Sequence, residues 1–434
     1  MDLEQMASVE QALRAARWPD LPELDAPEFV LPWYSGRSLA NVPATVGALL
    51  GTRAIGGLAP LDELYWRQRF GPVEHVVLVL IDALGYLQLR TMLAREPESI
   101  LSRMAERGTL LPMTSVCPST TVTALTTLGP AESPAVHGVL GYELWLREYG
   151  VLTEMIGLKP VYSAASTDLL SWGFQPEAFV PVPGLGHWLA ESGVRATAHV
   201  AEQFVSSGLT RMCYRGYARV IGHQGLPSLW ENLGADLAAA GRQRSFHYVY
   251  WGGIDHAIHL HGADTPDWPR AYREIGATLG DWLERWLHTA PVPNTLLLVC
   301  ADHGFVSTPE DQAYVSEGSP LEAELLVPSS GEARCAYLHT LAGPSPETRA
   351  RLSEALGPDY SLIETPRALR AGLFGPGQPC AEAPSRLGHY VAVAHGQHYI
   401  DRLRRAAWMR GRHGGLAAAE MLVPWLAVRA DALL

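Results

Sequence analysis

Three hydrophobic stretches of this chain stop on a carboxylate. Residues 76–81 are apolar without a break and lead into Asp82. Residues 296–301 do the same and lead into Asp302-His303-Gly304. The aromatic and β-branched run 248–251 passes through two glycines and Ile254 to reach Asp255. Apolar runs without alternation predict strands covered on both faces, as in a parallel sheet. A second period follows, in which Tyr272, Ile275, Leu279, Trp282 and Trp286 recur at spacings of three and four. With Leu283 and Leu287 widening the stripe, this predicts a helix packed on the core. Strand-like and helix-like segments alternate over 76–305, the pattern of an α/β fold.

The texture differs at either side. Residues 1–70 are rich in Pro and Trp and lose their period after a short opening helix, so they are expected to form an N-terminal extension packed on the core. Beyond His303, residues 334–340 read as strand and 344–352 as helix, and Gly and Pro cluster at Gly375-Pro-Gly-Gln-Pro. Residues 306–400 are therefore expected to be an inserted cap beside a catalytic core made of 71–305 and 401–434. A chain of 434 residues is long enough for one large α/β domain with such an elaboration.

Composition narrows the class. With 45 acidic against 33 basic residues the net charge is −12, which argues against a nucleic-acid polymer as partner. No stretch approaches the ~20 apolar residues of a membrane span, and the N-terminus has acids where a secretion signal needs bases. The five cysteines are scattered and never in CxxC spacing. These features predict a cytoplasmic protein with reduced thiols and no membrane partner. They carry no code for oligomeric state.

Strand ends matter because, in parallel α/β sheets, ligands bind outside the carboxyl ends of the strands. Asp302-His303 offers a hard oxygen beside an imidazole, a donor pair suited to zinc. Asp255 and His259 are four apart and share a face if a helix begins there. His413 lies in the glycine loop Gly411-Arg-His-Gly-Gly, with His395 and His398 as rivals in another glycine-adjacent pair. His256 and His261 flank His259 and read as solvent-facing or supporting. In Val116-Cys-Pro118-Ser-Thr-Thr121, Pro118 halts a strand and hydroxyl residues open a helix, whose free N–H groups favour a phosphate. A metal-activated Thr121 hydroxyl there is placed to attack phosphorus. Each piece alone has a plainer reading as a cap or a packed side chain. The ordered set Asp82, Thr121, Asp255, His259, Asp302, His303 and His413 divides naturally into two metal sites, with zinc favoured and manganese or iron open.

These motifs resemble the alkaline phosphatase superfamily and, within it, the type I phosphodiesterase/nucleotide pyrophosphatase family. The carrying residues are Leu-Ile-Asp82-Ala-Leu-Gly, Pro118-Ser-Thr-Thr121, His137-Gly138, Asp255-His-Ala-Ile-His259, Ala-Asp302-His303-Gly304 and Arg-His413-Gly-Gly. The resemblance implies a three-layer α/β/α sandwich with a largely parallel central sheet and an inserted cap. It implies two zinc ions, one on Asp82, Thr121, Asp302 and His303, the other on Asp255, His259 and His413. Thr121 would be the covalent nucleophile and the Val122 N–H an oxyanion donor. The expected activity is hydrolysis of phosphodiester or nucleotide pyrophosphate bonds in a small phosphorylated substrate. One position departs from the family: where its phosphodiesterases carry an Asn shortly after His-Gly, this chain has Tyr142, a donor of different reach. Phosphonoacetate-hydrolase-like or phosphomonoesterase activity, and a phosphomutase, remain as alternatives.

Overall fold

In the computed structural model, which describes residues 2–67, 69–162, 167–402 and 409–434, the apolar runs become neighbouring strands. The central sheet has seven: β1 His75–Ile81, β2 Thr109–Thr114, β3 Arg195–Ala201, β4 Arg219–His223, β5 Ser245–Trp251, β6 Thr295–Cys300 and β7 Leu422–Arg429. Their order is β2-β7-β6-β1-β5-β3-β4. Strands β6, β1, β5, β3 and β4 are mutually parallel, while β7 is antiparallel to both β6 and β2. Helices cover both faces, giving the three-layer α/β fold that the resemblance implies. Every residue of β1 and β6 is buried, which is why their sequences never alternate.

Register places the site. His75 stands opposite both Ser245 and Thr295, so β1, β5 and β6 start level and finish level. Asp82 and Asp302 therefore leave adjacent strands at the same edge. Four helices matter here: α1 Thr121–Leu128, α2 Leu226–Ala240, α3 Gly253–His261 and α4 Asp267–Thr289. Helix α4 buries Tyr272, Ile275, Leu279, Trp282 and Trp286, the stripe expected from the sequence. The two strand-end loops touch where both carry glycine: a Cβ on Gly85 would stand 2.7 Å from the Cα of Gly304. A side chain on Gly85 would push the two loops apart, and one on Gly304 would strike the Ala419 carbonyl.

A second, antiparallel sheet of seven strands stands beside the first. Four of its strands, Ser330–Glu332, Cys335–Leu338, Tyr360–Glu364 and Tyr390–Ala394, fall within 306–400. The other three, Glu143–Leu146, Val151–Glu154 and Lys159–Pro160, come from 143–160, joined through Gly331 opposite Glu143. Pairing between segments so distant leaves no local trace in the sequence. Both faces are buried, and the strand period of two sorts them. Cys335, Tyr337, Val391 and Val393 join the main core, while Ala336, Leu338, Ala392 and Ala394 join a smaller one with Leu352 and Leu356. Residues 2–67 lie along the β2 edge, with Ser38 bridging to Thr114 and Phe29 to Ala417.

One ion pair locks the two sheets together. Arg334, beside the second sheet, donates from Nε and Nη2 to the two oxygens of Glu420 at 2.8 and 3.0 Å, and both side chains are fully buried. Glu420 also accepts the backbone N–H groups of Gly415 and Ala417, fixing the loop that carries His413. Removing one member of such a pair strands the other charge, at a cost of about 3–5 kcal/mol. Glu420→Ala is expected to lower the unfolding free energy measured in urea by that much. The double variant Arg334→Met/Glu420→Leu is expected to lose clearly less, and equal losses would refute the account.

Candidate active site

Each candidate side chain is delivered by a different element end. Asp82 follows β1, and its N–H is tied to Trp251 O of β5 at 3.0 Å. Asp302 and His303 follow β6. The carboxylate of Asp302 is held through Oδ1 by the N–H groups of Ala83 at 3.1 Å and His303 at 3.0 Å. Asp255 and His259 share one face of α3, with Oδ1 and Nε2 3.3 Å apart. Thr121 is the first residue of α1 and Val122 the second, in the turn whose N–H groups have no acceptor within the helix. Its hydroxyl lies 3.1 Å from His303 Nε2 and 3.4 Å from Asp82 Oδ2.

The orientation of the donors is uniform. His303, His259 and His413 each place Nδ1 against a backbone carbonyl, of Gly304, Gly411 and Ser119, at 2.9, 2.9 and 3.2 Å. That contact fixes the tautomer and turns Nε2 inward, the arrangement that ligating histidines adopt. His303 and His413 stack with centroids 3.7 Å apart. Asp82 Oδ1, Asp255 Oδ1 and Asp302 Oδ2 are buried and lack a hydrogen-bond partner among the described residues. The imidazole nitrogens beside them are inward-turned: His303 Nε2 lies 3.4 Å from Asp82 Oδ1 and 3.5 Å from Asp302 Oδ2, while His259 Nε2 and His413 Nε2 lie 3.3 and 3.7 Å from Asp255 Oδ1. Buried oxygens left this way cost about 1–3 kcal/mol each unless something fills them. Three open carboxylate oxygens facing three imidazole nitrogens fit divalent cations, and Asp82-Asp302-His303 and Asp255-His303-His413 each converge closely enough to hold one. The site opens into a cavity of about 460 Å³ lined by Thr121, Tyr142, Asp255, His259, Glu332 and His413 among others.

Residues 76–416 match the family described as Type I phosphodiesterase / nucleotide pyrophosphatase. The chain belongs to this family. A search of curated proteins finds no match. Among solved structures, murine ectonucleotide pyrophosphatase/phosphodiesterase 5, as an inactive variant in complex with AMP, aligns with TM-score 0.62 at 14% identity. The alignment covers 81% of this chain and 87% of that one. Phosphonoacetate hydrolase from Sinorhizobium meliloti 1021, in complex with phosphonoacetate, aligns with TM-score 0.57 at 18% identity, covering 82% and 93%. At these identities the likeness concerns the fold. Family membership makes the chain a phosphodiesterase/pyrophosphatase-type hydrolase of the alkaline phosphatase superfamily, and the family implies divalent metal ions.

Within this family framework the structure separates residues that sequence left as rivals. His395 contacts Ser361 and Glu28, and His398 pairs with Asp359, so neither joins the cluster. His256 and His261 are exposed. The family's His-Gly motif is structural here: buried His137 accepts the Val139 N–H at 3.1 Å and faces Thr127 Oγ1 at 3.0 Å, steadying the loop to Tyr142. Two participants had gone unassigned. Tyr250 donates its hydroxyl to Asp82 Oδ2 at 2.5 Å; it lies inside the quoted run at 248–251, and nothing in that run marks it as a donor to Asp82. Glu332 accepts the Tyr142 N–H at 2.7 Å, a pairing created by the second sheet and invisible to sequence periodicity. Burial pushes the Glu332 carboxyl up to about 8.

Electrostatics show what the donor cluster demands. Burial, reinforced by Asp302 and Asp255, holds the Asp82 carboxyl well above its ordinary range. Burial, with His303 and His259 nearby, holds His413 well below its ordinary range and keeps it neutral. A carboxyl raised on folding penalises the native state as pH rises through its unfolded value of about 4. The penalty stops growing only once the folded group itself ionises. The Asp82 contribution is therefore expected to fall from about pH 4 towards neutrality in metal-free protein, while the lowered His413 contributes in the opposite sense below about pH 6.5. Asp82→Asn is expected to flatten that decline and raise the melting temperature of chelator-treated protein at pH 7, while weakening metal uptake. A lower melting temperature for the metal-free variant would contradict it.

Proposed function

We propose that the protein is a two-metal hydrolase of phosphodiester or nucleotide pyrophosphate bonds, working through a covalent intermediate on Thr121. The observation that carries this reading is the convergence of three open carboxylate oxygens and three inward imidazole nitrogens around one helix-terminal hydroxyl. Asp82, Thr121, Asp302 and His303 would hold one ion, and Asp255, His259 and His413 the other. Mixed carboxylate and imidazole donors suit zinc, with manganese and iron as the nearest substitutes. When bound, the ions supply the charge that lowers the Thr121 hydroxyl pKa and offsets the charge developing on the departing oxygen.

The chain's own groups do the rest. The Thr121 hydroxyl releases its proton to solvent as Oγ1 attacks phosphorus and the bond to the leaving oxygen breaks, and that oxygen takes a proton from solvent. The Val122 N–H and its neighbours in the first turn of α1 face the phosphoryl oxygens. Water then attacks phosphorus from the vacated side and releases a proton to solvent, the bond to Oγ1 breaks, and Oγ1 takes up a proton to restore the threonine. The Tyr142 hydroxyl is assigned the donor role that the family gives to Asn. A cavity of about 460 Å³ suits a small molecule better than a polymer. AMP and phosphonoacetate, bound by the two similar structures, have that scale. The cavity's Arg402 is already engaged by Glu143, which leaves it poorly placed to receive a substrate carboxylate and favours the diester over the phosphonoacetate reading. The second sheet, which supplies Glu332 and Glu143 to the wall, acts as the selecting cap. Five free cysteines, four of them buried, support a cytoplasmic location.

Thr121→Ala is expected to lower turnover of bis-p-nitrophenyl phosphate by about 10³-fold or more in metal-replete protein. An unchanged rate would sink the mechanism. Chelation should abolish activity, zinc should restore it, and the diester should be preferred over p-nitrophenyl phosphate. Tyr142→Phe is expected to reduce kcat/KM by about ten- to a hundredfold, the worth of a hydrogen bond to a charged oxygen. An undiminished kcat/KM would remove Tyr142 from the donor role.

A further inference from the structure

A second convergence of donors lies inside the fold, away from the cavity. His199 on β3, His247 on β5 and Asp236 on α2 bring one ligand atom each within 4.8 Å of one another. His247 is the third residue of its strand, whereas the cluster described above lies beyond the strand ends. Helix α2 packs over β3, β4 and β5 and lowers Asp236 onto the sheet between them. All three side chains are sealed from solvent, with relative exposures of 0%, 0% and 3% for His199, His247 and Asp236.

The hydrogen bonding around them is lopsided. Asp236 Oδ1 accepts from Arg195 Nη2 at 2.9 Å, with Arg219 at 3.5 Å. Its Oδ2 has no hydrogen bond among the described residues, although His247 Nδ1 stands 3.1 Å away and His199 Nε2 3.9 Å. His247 and Thr197 both lie against the Asp236 carboxylate, yet neither approach is aligned as a hydrogen bond, and Thr197 Oγ1 also lacks a partner among the described residues. Neither ring nitrogen of His199 has one either. On the outer side His247 Nε2 meets Ser245 Oγ at 2.8 Å, and that hydroxyl meets His75 Nδ1 at 2.8 Å. One oxygen of the carboxylate and one nitrogen of His247 are thus held from behind, while the opposite atoms point at a shared space. Supporting contacts of this kind fix the orientation of metal ligands. A group of buried polar atoms without partners calls for an occupant.

We propose that His199, Asp236 and His247 form a separate, buried site for a divalent cation of zinc-like preference, which ties α2 to the central sheet. Two imidazoles and a carboxylate are the donors of a borderline divalent ion rather than of calcium or magnesium. Arg195 and Arg219 meet the other oxygen of Asp236 and leave Oδ2 to the ion. Sealed from the cavity, the site serves structure and takes no part in phosphoryl transfer.

The test uses the full chain with His259→Ala, His303→Ala and His413→Ala, so that no imidazole remains at the Thr121 site. The variant is produced in zinc-supplemented medium, dialysed against metal-free buffer, assayed for metal by plasma mass spectrometry and measured by zinc-edge X-ray absorption. The expected result is one retained equivalent of zinc with two imidazoles in its shell, lost when His199→Gln is added. Wild-type protein treated with EDTA should also keep one equivalent, because the cavity is open to chelator and this site is not. A folded, zinc-free triple variant would overturn the proposal, leaving the space to water. So would zinc lacking two imidazole ligands, or zinc retained by the folded His199→Gln protein. Should His199→Gln fail to fold, the absorption spectrum of the triple variant decides alone. None of these outcomes depends on whether the Thr121 site turns over a diester.

Discussion

Level pairing of β1 with β5 and β6 is the constraint on which the site rests. Because the three strands run parallel and in step, their carboxyl ends present Asp82, Asp302 and the turn to Asp255 together. A slip of one residue would turn every side chain of a strand to the opposite face. The fold fixes the register by burying these strands on both faces, so that the packing of the whole core opposes any slip. The price is a knot of like charges at the head of the cavity. Asp82 answers by favouring its proton, and His413 by staying neutral. Both responses describe a site crowded with like charge, which the proposed cations would relieve and so tie their affinity to folding.

The second constraint runs between sheets. Strand ends give Asp82, Asp302 and His303, but His413 arrives on a loop that the central sheet alone does not hold. The buried Arg334–Glu420 pair holds it, with Glu420 gripping the Gly415 and Ala417 backbone and Arg334 reaching the carbonyls of Gly396 and His398. The second sheet is thus both a wall of the cavity and a brace for the donor cluster. Its two faces split into two cores by simple alternation, which makes it rigid enough for both tasks.

How much of this was legible follows from what each residue's neighbours are. Asp82 and Asp302-His303 could be read because uninterrupted strands end on them, a local signal. Asp255 and His259 could be read from helical spacing. His413 was separable from His395 and His398 only through the family resemblance, and geometry then set the rivals apart with Ser361, Glu28 and Asp359. Tyr250 and Glu332 were missed because their partners lie on other strands. Residues 143–160 joined the second sheet through one distant pairing. The donors His199, Asp236 and His247 meet only once α2 lies across the sheet. In each case the missing information was tertiary, and periodicity does not carry it.

The cavity wall sharpens the role of cations beyond the chemical step. Glu332 and Glu143 both face the space where an anionic substrate would sit, and Arg402 is engaged by Glu143. The backbone N–H of Tyr142 is spent on Glu332, so only its phenol remains to meet a phosphoryl oxygen. Carboxylates in that wall repel phosphate, while Arg402, Arg412 and the first turn of α1 offer a counterweight. A neutral Glu332, favoured by burial, removes part of the repulsion. Cations at the donor cluster invert the remaining field. In the proposed mechanism the ions that would activate the hydroxyl would also make the cavity attractive to substrate, so that binding and catalysis would depend on one charge balance.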